Sequence, residues 1–174
     1  MDKSNRQYLS SFTLIEILVV ITIVILVTGM TIAAFSNYNQ ESQLNKEAQR
    51  LVDVLNLVRG KAQTSDINFA CSGSDEFGGY RVALLDINLY DYAFSQCCRD
   101  TSSKVISVCD SPMQTYKLPK HIALTADSNA VDFYPLSEGA KQVTITLENS
   151  SINKCLEVSV LNTGVISVGD LYSC

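Results

Sequence analysis

Residues Phe12 to Ala34 read FTLIEILVVITIVILVTGMTIAA, and this apolar run decides the architecture of the chain. It is long enough to cross a bilayer as a helix, which takes about 20 residues at about 1.5 Å of rise each. One carboxylate, Glu16, lies near its start. Because a charged side chain costs about 2.5–3.5 kcal/mol at mid-bilayer, this position predicts a specific role for Glu16. The preceding MDKSNRQYLSS carries Lys3 and Arg6, which predicts a cytoplasmic amino end.

The junction between this leader and the apolar run resembles the type IV prepilin processing signal. Ser11-Phe12-Thr13-Leu14-Ile15-Glu16 follows a short basic leader and opens an apolar helix, as in pilins and the pseudopilins of type II secretion and DNA uptake. The resemblance implies leader cleavage between Ser11 and Phe12 and N-methylation of Phe12, both by a prepilin peptidase/methyltransferase. Ser11 stands where the family usually has glycine.

The same resemblance implies an assembly role for Glu16. Cleavage would leave a cationic amine on Phe12, and the carboxylate of a neighbouring subunit can pair with that amine inside a filament. The net gain from a buried ion pair is small, so the pairing suits selection of register better than stability. The alternative is an uncleaved signal anchor with Glu16 at the membrane interface.

The second half of the predicted helix is amphipathic. Apolar residues recur every three or four positions and form one stripe, which is expected to pack on a sheet. The members of this stripe are Leu44, Ala48, Leu51, Val52, Leu55, Val58 and Ala62. The segment Ala48 to Ala62 resembles the corresponding helix of the minor pseudopilin H and fimbrial protein T group.

The rest of the chain reads as short strands separated by turns. The predicted strands are 67–71, 80–85, 90–95, 105–108, 114–118, 122–125, 131–134, 143–147, 155–161 and 165–168. A polar loop is predicted from Cys98 to Ser103, and a hairpin turn at Asn162-Thr163-Gly164. The predicted fold is α+β: a long N-terminal helix, transmembrane in its first half and amphipathic in its second, packed on an antiparallel, type IV pilin-like sheet.

These patterns divide the chain into four predicted segments. They are a leader peptide (1–11), a transmembrane or filament-core helix (12–35), an amphipathic helix (36–66) and a β-rich globular head (67–174). The expected location is the cell membrane, in a single pass with the head outside the cytoplasm, and then a pilus or pseudopilus.

Six cysteines follow the membrane segment, and outside the cytoplasm disulfides persist. Three bonds among six cysteines allow 15 connectivities, whereas zinc-site spacing is missing. Adjacent Cys97 and Cys98 fit disulfide geometry poorly, so no bond between them is expected. A hairpin centred on Thr163 brings the chain end back near Cys155, so Cys155–Cys174 is the favoured pair. The alternatives leave Cys174 free or pair it with Cys71 or Cys109.

Little in the sequence favours catalysis, and no cofactor or metal is expected. The only histidine, His121, sits at a predicted strand start, and the common catalytic motifs are missing. The acids Asp75-Glu76, and Asp86 with Asp91, lack calcium-loop spacing and are interpreted as solvated. The aromatic residues Tyr80, Tyr90, Tyr92 and Phe94 are interpreted as cross-strand packing.

The partners follow from the same observations. A net charge of −5 disfavours a broad contact with nucleic acid, and no basic residue follows Lys154. The first hypothesis is a minor pilin or pseudopilin that contacts the membrane, the peptidase and other pilins or pseudopilins. The alternative is a pilus-tip binding module that contacts a surface, DNA or secreted cargo.

Processing provides the first test. Co-expression with an active prepilin peptidase should remove Met1 to Ser11 and leave Phe12 at the amino end, carrying a methyl group. Intact-mass measurement of the membrane-extracted chain checks this. Retention of Met1 beside an active peptidase would argue for the signal-anchor alternative.

Overall fold

The computed structural model describes residues 13–68, 70–73, 75–86 and 90–174, in which one long helix precedes a series of strands. Helix α1 spans Leu14–Gln63, 50 residues. The strands are β1 (Asp75–Asp86), β2 (Tyr90–Asp100), β3 (Ile106–Cys109), β4 (Gln114–Tyr116), β5 (Ile122–Ala126), β6 (Ala130–Phe133), β7 (Val143–Asn149), β8 (Lys154–Val160), β9 (Ile166–Val168) and β10 (Tyr172–Ser173). A 3₁₀ turn, Pro135–Ser137, joins β6 to β7. The predicted leader and Phe12 lie outside the described residues.

The chain divides into two compact units, one up to Asn39 and one from Gln40 to Cys174. In the first unit, the large apolar side chains between Leu14 and Val27 are all exposed, by 46% to 84%. In the part of the chain that the structure describes, no helix combines the length and apolarity that crossing a membrane requires.

The second unit holds two antiparallel sheets, so the predicted α+β class with antiparallel strands is confirmed. The first sheet has the order β3-β2-β1-β6, and β4 also pairs with β2. The second has the order β10-β8-β7-β5, and β9 also pairs with β8. The predicted hairpin at Asn162-Thr163-Gly164 joins β8 to β9, with Val160 opposite Ile166. Gly164 has a positive φ of 80° in that turn, a conformation that glycine adopts without strain.

The apolar stripe of α1 forms the core with the inner faces of both sheets. All seven predicted members are buried, and Val54 joins them. On β7, which covers the predicted strand 143–147, alternate side chains face the core: Val143, Ile145 and Leu147 are fully buried. One hydrophobic cluster contains the helix stripe and residues from both sheets.

Helix α1 ends at Gln63, three residues before the predicted boundary. Asp66 N–H donates to the Lys61 carbonyl at 3.1 Å, and Ser65 N–H donates to the Ala62 carbonyl at 3.2 Å. Ser65 has φ 51°, so the helix closes in a Schellman motif without glycine. The apolar stripe itself ends at Ala62, so the residues from 64 to 66 belong to the closing turn rather than to the helix.

One predicted strand and one predicted loop were wrong. The described residues of 67–71 form no strand, because the Asn68 N–H donates to the Gln96 side chain at 2.7 Å rather than to a ladder. The predicted polar loop from Cys98 is strand through Asp100, paired with β1 and β3. Cys98 and Arg99 are buried here among a disulfide partner and ion-pair partners, which a hydrophobic pattern does not detect.

Strand β1 begins at Asp75, before the predicted start at residue 80, and it contains a bulge. The register with β2 shifts between Phe77 and Gly79, and Gly79 has φ 104°. A Cβ atom at Gly79 would lie 2.0 Å from the Phe133 carbonyl oxygen on β6. The close approach of β6 therefore requires glycine inside the strand.

All six cysteines are paired. The bond between Cys155 and Cys174 ties the chain end to β8, which is the pair that the sequence favoured. Cys97 and Cys98 do not bond to each other. The remaining disulfides are Cys71–Cys98 and Cys97–Cys109.

The glycine bulge yields a stability prediction with a matched control. Gly79→Ala should lower the free energy of unfolding by about 2–4 kcal/mol, from backbone strain plus overlap with the Phe133 carbonyl. Gly60→Ala, with no atom within 4 Å of the new Cβ, should raise it by about 0.5–1 kcal/mol. Urea unfolding of the detergent-solubilised chain measures both. Equal changes in the free energy of unfolding for the two variants would show that the close approach of β6 to Gly79 does not destabilise the alanine variant.

Candidate functional site

The sequence-predicted assembly residue, Glu16, lies in the first turn of α1. The Glu16 N–H is 3.3 Å from the Thr13 hydroxyl oxygen, so Thr13 caps the helix. The carboxylate belongs to the turn where the helix dipole favours negative charge. The sequence signal for this arrangement is the spacing Thr13-x-x-Glu16, the pattern of a capping box.

The surroundings of Glu16 are apolar. Together with Ile17, Val20 and Ile21 it lines a hollow of about 310 Å³ along the helix. Within the described ranges, no cation forms an ion pair with its carboxylate. Ser11 and Phe12, which the resemblance implies as cleavage and methylation sites, lie outside those ranges. The arrangement can accept a cation from elsewhere, with apolar contact on the same helix face.

The head carries an ion-pair cluster that the sequence analysis missed. Arg99 of β2 is nearly buried, and its Nε donates to Glu76 at 2.7 Å. Its two terminal nitrogens each donate a hydrogen bond to one carboxylate oxygen of Glu138, which follows β6 in the chain. Lys104 donates to the same Glu76 oxygen at 2.6 Å. The interpretation of Glu76 as a solvated acid was therefore wrong, because residues distant in sequence converge on it.

These contacts set the charge states of the cluster. The paired hydrogen bonds from Arg99 hold the pKa of Glu138 below its ordinary value. Hydrogen bonds from Lys104 and then Arg99 lower the pKa of Glu76. The pKa of Arg99 is raised, chiefly by Glu138. The charges of Glu76, Arg99 and Glu138 therefore persist across the neutral range.

Two of the other singled-out acids, Asp75 and Asp91, accept hydrogen bonds. The Asp75 carboxylate accepts a hydrogen bond from the Ser107 hydroxyl at 2.6 Å. The Asp91 carboxylate accepts one from the Leu118 N–H at 2.7 Å. His121 Nε2 is hydrogen-bonded to the Gln43 side chain of α1 at 2.7 Å. This contact links the helix to the loop before β5. Among the described residues, no group of side chains is arranged to hold a metal ion.

The predicted aromatic packing is present, and α1 adds to it. Tyr92 and Tyr116, opposite each other on β2 and β4, stack with ring centroids 4.8 Å apart. The guanidinium of Arg50 lies 5.3 Å from the Tyr116 ring centroid. Burial raises the pKa of Tyr92, whose hydroxyl has no hydrogen-bond partner within the described part of the chain. The aromatic residues thus join the helix to the first sheet.

Arg59 of α1 reaches the final hairpin, which the sequence did not predict. A Cβ atom at Gly164 would lie 3.5 Å from Arg59 Nε. This nitrogen is buried and has no hydrogen-bond partner among the residues that the structure describes. Arg59, Gly139 and Gly164 line a crevice of about 10 Å³, room for about one water molecule. The helix therefore supplies a basic residue beside a hairpin whose own sequence has none.

Comparison with known proteins finds a structural likeness. No protein-family model matches this chain, and no curated protein matches it. Its structure is similar to that of the minor pseudopilin EpsH from the Type 2 Secretion System of Vibrio cholerae. The two are 15% identical, the match covers 72% of this chain and 95% of that one, and the TM-score is 0.46.

The ion-pair cluster predicts a pH dependence. The lowered pKa of Glu138 means that its contribution to stability is complete above its ordinary pKa of 4.5 and is lost as pH falls through the folded-state value. Glu138→Gln should therefore unfold more easily than wild type at pH 7, and the difference should shrink below about pH 4.5. Thermal unfolding across this range measures it.

The control is Glu157→Gln, at an exposed position of β8. Its unfolding midpoint should follow that of wild type at each pH. A Glu138→Gln deficit that stays constant from pH 7 to pH 3 would contradict the assigned role of the charge.

Proposed function

We propose that this chain is a minor pilin or pseudopilin, inserted in the membrane through the first half of α1 and then assembled into a type IV pilus or a type II secretion-type filament. The observation that carries the proposal is one carboxylate in a helix whose apolar side chains are exposed, directly after a prepilin-like junction. The role is structural rather than enzymatic.

The exposed side chains of α1 from Leu14 to Val27 need an apolar environment. Water is a poor one, since each exposed methylene group costs about 0.8 kcal/mol relative to burial. A bilayer and a bundle of like helices both provide that environment, and a helix satisfies its own backbone in either. Such a segment therefore suits a subunit that passes from membrane to filament core.

Glu16 makes the passage from membrane to filament core selective for a neighbouring subunit in the correct axial position. In the membrane its carboxylate has a solvation cost that an incoming cation would offset. The processed amino group of Phe12 on a neighbouring subunit is such a cation, and Thr13 and the first turn hold the carboxylate in place. A neighbour in the wrong axial position would leave both charges unpaired, which is strongly unfavourable in an apolar core.

The head fits a location outside the cytoplasm. Its three disulfides join Cys71 to Cys98, Cys97 to Cys109 and Cys155 to Cys174, and such bonds persist in oxidising compartments. We place the chain as a single-pass protein with the head outside and the amino end inside. Its partners are then the prepilin peptidase and other pilins or pseudopilins.

Glu16→Ala provides the functional test. The variant should insert in the membrane as well as wild type, because it removes a charge from an apolar segment. Its amount in sheared filaments, relative to the membrane pool, should fall at least tenfold, because the neighbour's amine loses its partner. Quantitative immunoblotting of both fractions measures the ratio.

Thr13→Ala separates pairing from helix capping. It removes the hydroxyl that caps α1 but keeps the carboxylate, so it should reduce incorporation less than Glu16→Ala does. Equal losses would show that Glu16 acts through the helix end alone. Wild-type incorporation of Glu16→Ala would remove the pairing role.

A further inference from the structure

Arg59 of α1 has no acidic partner among the residues that the structure describes. Arg50, Arg81 and Arg99 each form an ion pair with a carboxylate there, and Arg59 forms none. Its Nε is buried without a hydrogen-bond partner, although the residue as a whole is only partly buried. A buried donor without an acceptor costs free energy, and native structures rarely keep one without a reason.

The crevice at Arg59 is lined by residues that can donate hydrogen bonds. Gln63 carries an amide and Thr163 a hydroxyl, and none of the described lining residues is acidic. Gly164 leaves space beside the guanidinium, because a Cβ atom there would lie 3.5 Å from Nε. The volume of about 10 Å³ has room for one oxygen atom, not for a whole side chain. This donor set and this size suit one oxygen of an oxyanion.

The two turns beside the crevice use their own carbonyl groups to hold each other. The Tyr134 N–H donates to the Gly139 carbonyl at 3.0 Å, and the Ala140 N–H donates to the Asn162 carbonyl at 2.9 Å. The first bond closes the turn after β6, and the second joins that turn to the β8–β9 hairpin. An acceptor for Arg59 therefore has to come from outside these two turns.

We propose that Arg59 binds the carboxylate of an aspartate or glutamate side chain on a neighbouring subunit. One carboxylate oxygen enters the crevice and accepts from Nε, and the other accepts from a terminal nitrogen. This is the side-by-side geometry in which guanidinium and carboxylate groups form two parallel hydrogen bonds. The inference rests on the proposed function, because filament assembly is what brings a neighbouring head close.

Assembly also explains why the ligand belongs to a protein. One partly exposed ion pair contributes little in water, so a small carboxylate in solution would bind Arg59 only weakly. A carboxylate on a subunit that is already held through α1 is present at a high effective concentration. The same weak contact can then favour one position of the neighbouring head over another.

Nucleic acid fits this position less well than a carboxylate does. A protein that binds duplex DNA neutralises several phosphates with basic side chains. Among the described residues that line the crevice, Arg59 is the one cation, and the whole chain has a net charge of −5. Phosphate binding is therefore an alternative outcome of the test.

Zero-length crosslinking in intact filaments tests the contact directly. Arg59→Lys keeps the positive charge and supplies a primary amine. A carbodiimide activates a carboxylate that touches this amine, the amine then forms an amide with the carboxyl carbon, and a substituted urea leaves with one carboxylate oxygen. The expected product, identified by mass spectrometry, joins position 59 to an aspartate or glutamate of a neighbouring subunit.

Two controls accompany the crosslinking. Lys61, two residues further along α1, forms an ion pair with Asp66, so the amide between these two residues should form in every variant and show that the reagent reaches this surface. Arg59→Met has no amine and should give no product at position 59. The inference is wrong if the Lys61–Asp66 amide forms while Arg59→Lys gives no product at position 59. It is also wrong if that product joins position 59 to an acid of the same molecule.

Arg59→Met also measures how much the contact contributes. Its amount in sheared filaments, relative to the membrane pool, should fall about two- to fivefold, the size expected for one partly exposed ion pair. Its unfolding temperature in detergent should equal or exceed that of wild type, because methionine keeps an apolar stem and removes the unpartnered nitrogen. Lys117→Met, at an exposed position, should match wild type in both measurements. Full incorporation of Arg59→Met, or a loss that accompanies a lower unfolding temperature, would contradict the inference.

The remaining outcomes separate the inference from its alternatives. Binding of duplex DNA at physiological salt by wild type, but not by Arg59→Met, would make phosphate the ligand and overturn the inference. If wild type itself is missing from filaments, the proposed function is wrong and the inference goes with it. If wild type and Arg59→Met are both incorporated while Glu16→Ala is not, only the role of Arg59 is wrong.

Discussion

Burial of one stripe of α1 is the interaction on which the head depends. Leu44, Leu51, Leu55 and Val58 are fully buried in the cluster that contains both sheets. Neither sheet has an apolar face that it could hide alone, since small antiparallel sheets need a second layer. The helix is that layer for both, so a truncation such as Leu51→Ala would open a cavity shared by all three elements and cost about 2–5 kcal/mol.

Consecutive residues of β2 make the second set of constraints. Cys97 bonds to β3 through Cys109, and Cys98 bonds to Cys71 in the segment that follows α1. Arg99, the next residue, binds Glu76 and Glu138. Because successive side chains of a strand point to opposite faces, three adjacent positions tie one strand to different neighbours. The turn that carries Glu138 is thereby fixed to the centre of the first sheet.

Sequence reasoning succeeded where one periodicity governs a segment. The stripe of α1, the alternation of β7 and the final hairpin were predictable because burial on one face repeats at a fixed interval. It failed at Cys98 to Asp100 and at Gly79, where disulfides, ion pairs and the approach of β6 decide the backbone. Arg99 and Arg59 were missed for the same reason: their importance comes from neighbours distant in sequence, which a local pattern does not record.

One helix meets two different requirements, and this distinction supports the proposed role. From Leu44 onward, α1 buries a stripe and exposes polar residues, so the head is complete in water. From Leu14 to Val27 its large apolar side chains are all exposed, and in the proposed function a bilayer or other helices would cover them. A carboxylate in that second environment stabilises nothing by itself, whereas it discriminates strongly between a neighbour that brings a cation and one that does not. In the proposed function, Glu16 would therefore act in the selection of a partner rather than in the stability of the monomer.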